Sequence, residues 1–256
     1  MEITTIIGLV MGISSILLGQ VLEGGHVGSI MQFTAAIIVF GGTFGASILS
    51  FTLDDLKKAV KYFFSIFFTP KEDPREFLMT LVKLAVIARK EGLLALQDKT
   101  ADEKNPFMKS AIQYTVDGYD AKVIQDILEK QIETMEEEMM TAAKVYESLG
   151  GYAPTVGILG AVLGLIHVME VMADPSQIGK GIAVAFVATV YGVGSANLLF
   201  LPISSKIKRM AKVEVLSKEL ILKGVMCLQE GLSPRILEDE LNAFLEEKYR
   251  KSSFEV

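Results

Sequence analysis

The sequence predicts an all-α membrane protein with four transmembrane helices and a helical cytoplasmic domain. Four stretches contain no Asp, Glu, Lys or Arg: residues 4–22, 29–51, 150–169 and 181–203. Each stretch is long enough to cross a bilayer, since about 20 helical residues span a hydrocarbon core of ~30 Å. The stretches form two pairs, and the charged residues 52–149 separate the pairs.

These stretches divide the chain into four expected segments. Residues 1–51 are predicted to form a hairpin of transmembrane helices 1 and 2, which turns through the Gly-rich sequence EGGHVG. Residues 52–149 are predicted to form a helical cytoplasmic domain, and residues 150–203 to form transmembrane helices 3 and 4. Residues 204–256 are predicted to add cytoplasmic C-terminal helices.

The composition favours a membrane protein and argues against several other classes. The 256 residues include 22 glycines, which allow transmembrane helices to approach one another closely. The single cysteine, Cys227, cannot form an intrachain disulfide. The N-terminal sequence has no basic region and carries Glu2, so we expect the first span to be retained rather than cleaved. A net charge of −6 argues against nucleic-acid binding.

The positions of the basic residues predict the orientation. Of the 25 Lys and Arg residues, 14 lie in residues 52–149, ten lie in residues 204–256 and one is Lys180, while residues 23–28 contain none. Because basic segments tend to remain in the cytoplasm, the central segment and the tail are predicted to be cytoplasmic. Four spans then place the N-terminus on the cytoplasmic side as well.

Helices are also predicted outside the spans. The sequence DDLKKAVKYFFSIF is amphipathic and is expected to lie beside the membrane, and Pro70 and Pro74 then break the chain. The following segment has apolar residues at helical spacing, namely Phe77, Leu81, Leu84, Ala85 and Ala88. After a loop at DEKNPF and a short helix, a long helix is predicted from Asp120 towards transmembrane helix 3, interrupted by Gly150, Gly151 and Pro154.

The end of the chain and the first hairpin carry further local signals. A final helix is predicted at SPRILEDELNAFL, with Ser233 as its N-cap and Pro234 in its first turn. In the first hairpin, Gly8 with Gly12 and Gly41 with Gly45 have the G-x-x-x-G spacing that suits close helix crossings. We interpret these pairs as packing positions.

The sequence contains no strong signal for an enzyme. The glycines of GGYAPTVGILGAVLG lack both the preceding strand and the Gly-Lys-Ser/Thr ending of a phosphate-binding loop. His167 and Glu170 stand one helical turn apart, but no second pair is present to complete a metal site. We interpret this pair as an interfacial hydrogen bond or a mildly pH-sensitive contact, and we predict no cofactor, no metal and no catalytic residue.

Transmembrane helices 3 and 4 are the most informative part of the chain. One face of helix 4 is small and mildly polar, with Ala185, Thr189, Gly192 and Ala196 at i, i+4, i+7 and i+11. Such a face either packs against another helix or lines a narrow path in which hydroxyls and carbonyls replace an ion's water. Pro154 and Pro202 lie near the cytoplasmic ends of these helices, where proline frees a backbone carbonyl and permits a hinge.

These residues carry a family resemblance. The sequences GGYAPTVGILGAVLGLIHVM and DPSQIGKGIAVAFVATVYGVGSANLLFLPISSKIK resemble the MotA/PomA family of flagellar stator subunits, within the MotA/TolQ/ExbB proton channel superfamily. The sequence LAVIARKEGLLALQ is similar to the rotor-facing segment of that family, and the resemblance extends over essentially the whole chain.

The resemblance implies a function, partners and a location. Five such subunits are expected to surround two copies of a MotB-like partner, whose single span carries an essential Asp and which binds peptidoglycan. Ion flow at that Asp is expected to drive torque on the rotor switch protein. The implied location is the bacterial cytoplasmic (inner) membrane. The absence of a carboxylate in the four spans agrees with this arrangement, because the ion carrier then comes from the partner.

The resemblance also assigns roles to individual residues. Pro154 and Pro202 match the two prolines that couple ion binding to movement of the cytoplasmic part. Arg89 matches the rotor-contacting arginine, and Lys90 and Glu91 stand beside it. The chain departs from the family at Gln97, where Glu is usual, so Glu91 or Asp98 is the substitute contact. From the residues alone, the sequence RKEG reads as a solvated helix end.

One residue of helix 3 bears on the coupling ion. Sodium-driven members of the family have Thr where this chain has Ala161, and a methyl group cannot replace water around sodium. Thr189 matches a threonine of both types and does not discriminate. We therefore predict protons as the coupling ion, with sodium as the alternative.

Two other functions stay open at this point. A subunit like ExbB or TolQ, which energises outer-membrane processes, shares the last two spans but follows a three-span plan, whereas this chain has four. A passive scaffold would use its glycine faces only for packing, and replacing Pro154 or Thr189 would then leave ion flux unchanged.

Overall fold

The computed structural model describes residues 3–68, 73–101, 103–173, 175–245 and 247–250, and within them all regular secondary structure is helical. The helices are α1 (Ile3–Leu22), α2 (Phe33–Ser50), α3 (Leu53–Phe68), α4 (Pro74–Glu91), α5 (Gln97–Ala101), α6 (Pro106–Val116), α7 (Ala121–Glu170), α8 (Pro175–Ser195), α9 (Leu201–Gln229) and α10 (Pro234–Asn242). Short 3₁₀ turns occur at Val27–Ile30, Leu93–Leu96 and Glu247–Tyr249, and a π-helical segment, Ile37–Gly41, lies within α2.

The chain forms two compact units, each built from two separate stretches. The first unit consists of Met1–Thr69 and Glu138–Met210, and the second consists of Pro70–Glu137 and Ala211–Val256. Helices α7 and α9 each contribute residues to both units.

Four helical segments of the described chain are long and apolar enough to cross a membrane. They are α1, α2, the C-terminal part of α7, and the segment that begins at Ile178 in α8. All four coincide with the uncharged stretches predicted from the sequence. Many of their apolar side chains are exposed, especially in α1, as expected for surfaces that meet lipid. The all-α, four-span architecture is therefore confirmed.

The helix that leads into the third span continues without interruption. The expectation of a break at Gly150, Gly151 and Pro154 is wrong, because α7 runs through all three as one helix of 50 residues. A single proline removes one backbone hydrogen bond, and a neighbouring helix can hold the rest of the turn in place. Close packing supplies that support here, since Ala153 and Gly157 are buried.

The fourth span changes its helical geometry just before a proline. A π-helical turn, Ala196–Phe200, separates α8 from α9, and the Leu201 N–H donates to the Ala196 carbonyl five residues earlier. Pro202 follows directly and has no N–H to donate. Single π-turns inside α-helices often mark functional positions, so this turn and Pro202 together identify an irregular point in the span.

The amphipathic helix α3 follows α2 after two residues and belongs to the first unit. Its N-terminus is capped reciprocally. The Thr52 hydroxyl donates to the Asp55 carboxylate at 2.6 Å, and the Asp55 N–H donates to the Thr52 hydroxyl oxygen at 3.3 Å. This cap satisfies backbone donors that a helix start leaves free. Pro70, expected to break the chain after α3, lies outside the described residues.

The second unit has its own hydrophobic core, formed by α4, α6, the start of α7, the end of α9 and α10. Leu81, Leu84 and Ala85 of α4 are buried in this core as the spacing predicts, and Phe77 and Ala88 pack against it. Asn105 caps α6, and Ser233 caps α10, accepting from the Ile236 N–H as predicted. A side chain at Gly224 would collide with Leu81, because a Cβ there would lie 2.6 Å from Leu81 Cδ1.

Candidate functional site

The last two spans cross at very short distance through glycines. A Cβ on Gly192 would lie 2.5 Å from the Ala153 carbonyl oxygen, and one on Gly157 would lie 2.9 Å from the Ala188 carbonyl oxygen. A Cβ on Gly164 would lie 2.9 Å from the Ala185 backbone nitrogen. The obstructing atoms are backbone, so only glycine fits at these points. The crossing of α7 and α8 is therefore set by glycine contacts along three turns.

The small face of α8 is used mainly for this crossing. Ala185, Gly192 and Ala196 are buried within the chain, and the first two lie in the crossing itself. The sequence left two interpretations open for this face, packing against another helix or lining an ion path. The burial of these three residues agrees with packing. Thr189 is the exception, because it remains partly exposed.

Thr189 and Ala161 lie beside the crossing. Gly160 and Ala188 face each other in the crossing, since a Cβ on Gly160 would lie 2.9 Å from the Ala188 Cβ. Ala161 follows Gly160 in the chain, and Thr189 follows Ala188. Both are half-buried. The Thr189 hydroxyl donates to the Ala185 carbonyl of its own helix at 3.3 Å, a long and weak bond that leaves the oxygen free to accept.

The two predicted prolines lie at different kinds of position. Pro154 is half-buried inside the continuous helix α7, whereas Pro202 is exposed at the start of α9, next to the π-turn. On the exposed side of the third span, the Thr155 hydroxyl donates to the Tyr152 carbonyl at 2.8 Å. The span thus carries an exposed hydroxyl one residue after its proline.

The glycine pairs of the first hairpin are not helix crossings within this chain. A Cβ on Gly8, Gly41 or Gly45 would meet nothing within 4 Å among the described residues, and one on Gly12 would reach only the Leu198 side chain, at 3.3 Å. Within the two helices of this hairpin, the added Cβ that would come within 3.0 Å of another element is that of Gly42, at 2.8 Å from Val156 Cγ1. In the turn between the helices, a Cβ on Gly25 would lie 2.9 Å from the Gln20 carbonyl oxygen. Spacing alone did not distinguish contact glycines from exposed ones.

His167 and Glu170 form an exposed pair near the end of α7, with 3.7 Å between His167 Nδ1 and a Glu170 carboxylate oxygen. Among the described residues, no group of three or more His, Cys, Asp or Glu side chains is placed to hold a metal ion. The pair is therefore a surface contact in this chain.

The predicted rotor contacts lie on either side of one turn of the second unit. Arg89, Lys90 and Glu91 end α4, and Gln97 and Asp98 begin α5; all five are exposed. Gly92 separates the two groups with a φ of 87°, a conformation that favours glycine. In the 3₁₀ turn that follows, Leu96 is fully buried, whereas Leu94 is 73% exposed. Leu96 thus anchors this turn in the core of the second unit, and the five polar side chains on either side of it are exposed.

Two tyrosines that the sequence did not single out organise the first unit. The Tyr191 hydroxyl of α8 donates to the Ile30 carbonyl, and the Tyr146 hydroxyl of α7 donates to the Ala59 carbonyl of α3 at 3.0 Å. Both bonds satisfy backbone groups of another element. For Tyr191 the available signal was a tyrosine inside an apolar helix, since a buried hydroxyl usually has a partner.

Together these features define a class of protein: a multi-pass, all-α membrane protein whose last two spans are joined by glycine contacts and whose second unit presents an exposed charged turn. Residues 99–220 match the model of the MotA/TolQ/ExbB proton channel family, and residues 6–92 match that of the motility protein A N-terminal domain.

Curated relatives match over nearly the full length. Motility protein A of Helicobacter pylori is 35% identical over 256 residues, covering 100% of both chains. Motility protein A of Bacillus subtilis is 34% identical and covers 98% of this chain and 93% of the relative. Chemotaxis protein PomA of Vibrio alginolyticus is 33% identical and covers 98% of each.

Solved structures agree with the sequence matches. The structure of C. jejuni MotAB superimposes with a TM-score of 0.93 at 33% identity, covering 99% of this chain and 100% of that chain. The flagellar MotAB stator complex of Bacillus subtilis gives a TM-score of 0.89 at 33% identity, covering 96% of each. The chain therefore belongs to the MotA/PomA family of flagellar stator subunits.

This assignment confirms the predicted function and bears on its ExbB/TolQ-like alternative. The match of residues 6–92 to the motility protein A model lies in the first two spans and the start of the second unit, and it favours a flagellar stator subunit over one of the ExbB/TolQ type. The family is one of ion-channel subunits; the absence of enzymatic activity stays a prediction.

Proposed function

We propose that this stator subunit forms one part of an ion path and that a second protein supplies the group that carries the ion. The supporting observation is that none of the four uncharged stretches contains Asp or Glu. A proton path needs a group that gains and loses a proton near neutral pH, and threonine hydroxyls do not. We therefore assign the carrier to a MotB-like subunit with a single span and an intramembrane Asp. Both similar structures are described as MotAB complexes.

The proposed assembly follows from these separate roles of the two proteins, in which this chain lines the path and the partner carries the ion. Several copies of this chain, five by family resemblance, surround the partner's spans in the bacterial inner membrane. The N- and C-termini lie in the cytoplasm, since nearly all Lys and Arg residues lie outside the short links between paired spans. The third and fourth spans, fixed to each other by glycine contacts, face the partner.

The proposed path uses Thr189 and Ala161 as lining residues and the two prolines for coupling. Thr189 keeps an accepting oxygen beside the crossing, and Ala161 places a methyl group where a hydroxyl would help to replace sodium's water. Protons are therefore the proposed ion. Pro154 and Pro202, the latter beside the π-turn, give these spans backbone carbonyls without a helical partner, and movement there passes to the second unit.

The proposed rotor contact is the exposed turn from Arg89 to Asp98. Its five polar side chains are exposed and can meet charges on the rotor switch protein, because the buried Leu96 holds the turn in place. Such charged contacts set orientation and association rate more than affinity. Gln97 makes this chain less acidic at the turn, and Glu91 and Asp98 supply the negative charge.

Reconstitution tests the borrowed carboxylate. We expect vesicles that contain this chain alone to show no proton flux under a membrane potential, and vesicles that also contain the partner to show flux. Replacing the partner's intramembrane Asp by Asn is expected to abolish that flux. Conduction by this chain alone would contradict the proposal.

The coupling ion is tested in cells with the same pair of subunits. We expect motility to persist in sodium-free medium and to stop with a protonophore. Ala161→Ser is compared with the parent chain as a matched variant, because it adds a hydroxyl at this position with little change in side-chain volume. Dependence of the parent chain on sodium would contradict the role assigned to Ala161.

A further inference from the structure

Helix α3 carries an apolar face that the described residues leave exposed. The exposed fractions are 69% for Leu53, 55% for Val60, 56% for Phe64 and 65% for Phe68. These four positions are spaced by seven, four and four residues, which places them on one side of a helix. Two aromatic and two aliphatic side chains therefore form a stripe along the whole of α3.

The opposite side of α3 is fixed against the first unit. Its buried residues are Ala59, Tyr62 and Ile66. The Tyr146 hydroxyl donates to the Ala59 carbonyl at 3.0 Å, and the Tyr146 ring stacks on Phe63 at 6.3 Å. Lys58 Nζ lies 3.5 Å from a Glu138 carboxylate oxygen. These contacts set the rotation of α3, so its apolar stripe points away from the unit.

The position of α3 in the chain places this stripe at the edge of the membrane. Only Phe51 and Thr52 separate α3 from the end of α2, a membrane-spanning helix, and α3 also contacts α1. With two aspartates and three lysines in 16 residues, α3 is too polar to cross the bilayer itself. A helix of this kind lies in the plane of the headgroups.

Two lysines lie on the side of the stripe: Lys57 stands within it, one helical turn after Leu53, and Lys61 stands at its edge. Lys57 and Lys61 are exposed on the same side as Phe64, and such side chains lay their stems along apolar surface while their ammonium groups reach water or phosphate. Lys57 is 3.1 Å from Asp54, but both groups are exposed, so this pair is weak. Lys61 Nζ lies 5.1 Å from the centre of the Tyr62 ring.

We propose that this face of α3 is a binding surface for anionic phospholipids. The apolar stripe enters the boundary of the acyl chains, and Lys57 and Lys61 contact the negatively charged headgroups. The charge of the lysines and the direct continuity with a span favour a lipid surface over a second copy of this chain. By anchoring α3, the lipid would also hold the α7 segment that Tyr146 ties to it.

Fluorescence quenching tests the contact with lipid. The full chain carrying Phe64→Cys is labelled with bimane and placed in phosphatidylcholine nanodiscs that contain equal small fractions of brominated phosphatidylcholine or brominated phosphatidylglycerol. The native thiol, Cys227, is buried and should not react. Val123→Cys, exposed in the second unit, is the matched control. We expect quenching at position 64 and none at position 123.

Comparison of the two brominated lipids tests headgroup selection. Because each lysine near an anionic surface contributes an attraction of roughly fivefold, we expect several-fold stronger quenching by the phosphatidylglycerol. Lys57→Gln with Lys61→Gln should remove that preference, whereas Lys83→Gln with Lys122→Gln in the second unit should not. Equal quenching by both lipids, or loss of the preference in the control variant, would overturn the headgroup selection. Absence of quenching at position 64, as when a second copy covers the face, would overturn the whole proposal.

Discussion

The Tyr191 hydroxyl donates a hydrogen bond to the Ile30 carbonyl oxygen at 2.6 Å and accepts one from the Gln32 N–H at 3.2 Å. One side chain of α8 therefore satisfies two backbone groups at the non-helical entry to α2. Phe40 stacks on the same tyrosine at 5.9 Å. Irregular backbone beside an apolar span needs such partners, because lipid supplies none.

We expect Tyr191→Phe to lower the thermal stability of the full chain. The substitution keeps the ring contact with Phe40 but leaves the Ile30 carbonyl and the Gln32 N–H without this partner, at a cost of about 1–3 kcal/mol. Tyr152→Phe is the control, since the Tyr152 hydroxyl lies 3.0 Å from the Ser50 hydroxyl at an exposed position. Thermal unfolding in mild detergent, followed by the loss of helical circular dichroism, measures both, and equal midpoints would contradict the prediction.

We expect Gly192→Ala to disrupt the crossing of the last two spans. The new Cβ would lie 2.5 Å from the Ala153 carbonyl oxygen and 3.0 Å from the Gly157 Cα, so the helices must separate. Overpacking of this kind costs about 1–3 kcal/mol. Swimming speed and the yield of purified protein should both fall.

Gly194→Ala is the control for this crossing. It lies two residues away, where a Cβ would meet nothing within 4 Å among the described residues. It should have little effect on swimming speed or on yield. A Gly192→Ala protein with normal yield and normal swimming would show that the spans tolerate separation.

We expect charge reversal at Arg89 to reduce torque without reducing the amount of protein in the membrane. Arg89 is exposed at the end of α4, beside the turn at Gly92, so Arg89→Glu leaves the core intact. Lys83→Glu makes the same change at an exposed position of the same helix, about 120° around it and farther from the turn. Tethered-cell rotation at high load compares the two, and a similar loss in both would remove the specific role of the turn.

We expect the start of α3 to loosen at low pH. The hydrogen bond from the Thr52 hydroxyl holds the pKa of the Asp55 carboxyl below its ordinary value of 3.8. A lowered pKa means that the ionised group stabilises the folded form, so its contribution is present above pH 3.8 and is lost as the pH falls through the lowered pKa. A spin label at Val60→Cys should therefore gain mobility as the pH falls below 3.8.

Two variants separate this cap from general acid effects. Thr52→Ala should make the label mobile at neutral pH and flatten the pH dependence, because it removes the bond that lowers the Asp55 pKa. Asp54→Asn changes a neighbouring carboxylate that pairs with Lys57 instead, and it should leave the transition in place. A transition unchanged by Thr52→Ala would assign it to another group.

The spans and most helix ends could be predicted because they depend on local chemistry. Uncharged stretches of about 20 residues have few solutions in a bilayer, and the caps at Asn105 and Ser233 follow from side chains next to the helices they start. Family resemblance added the function. The coupling ion, the rotor contacts and the number of subunits stay predictions.

Prediction failed where neighbours in space decide the outcome. The break expected near Pro154 did not occur, because packing of Ala153 and Gly157 supports the helix through the proline. The glycine spacing at Gly41 and Gly45 was correct as a pattern but marked no crossing in this chain, whereas Gly42 between them contacts Val156. Spacing gives the face of a helix and does not give its partner.

The sequence by itself determined the four spans, the polar segments between them and the absence of an intramembrane carboxylate, because charge and hydropathy act residue by residue. Only the tertiary structure decided which glycines carry the crossing of α7 and α8, which tyrosines hold other elements, and which side of α3 is left exposed. Those outcomes depend on distances between residues far apart in the chain, and close packing admits few side chains at each contact.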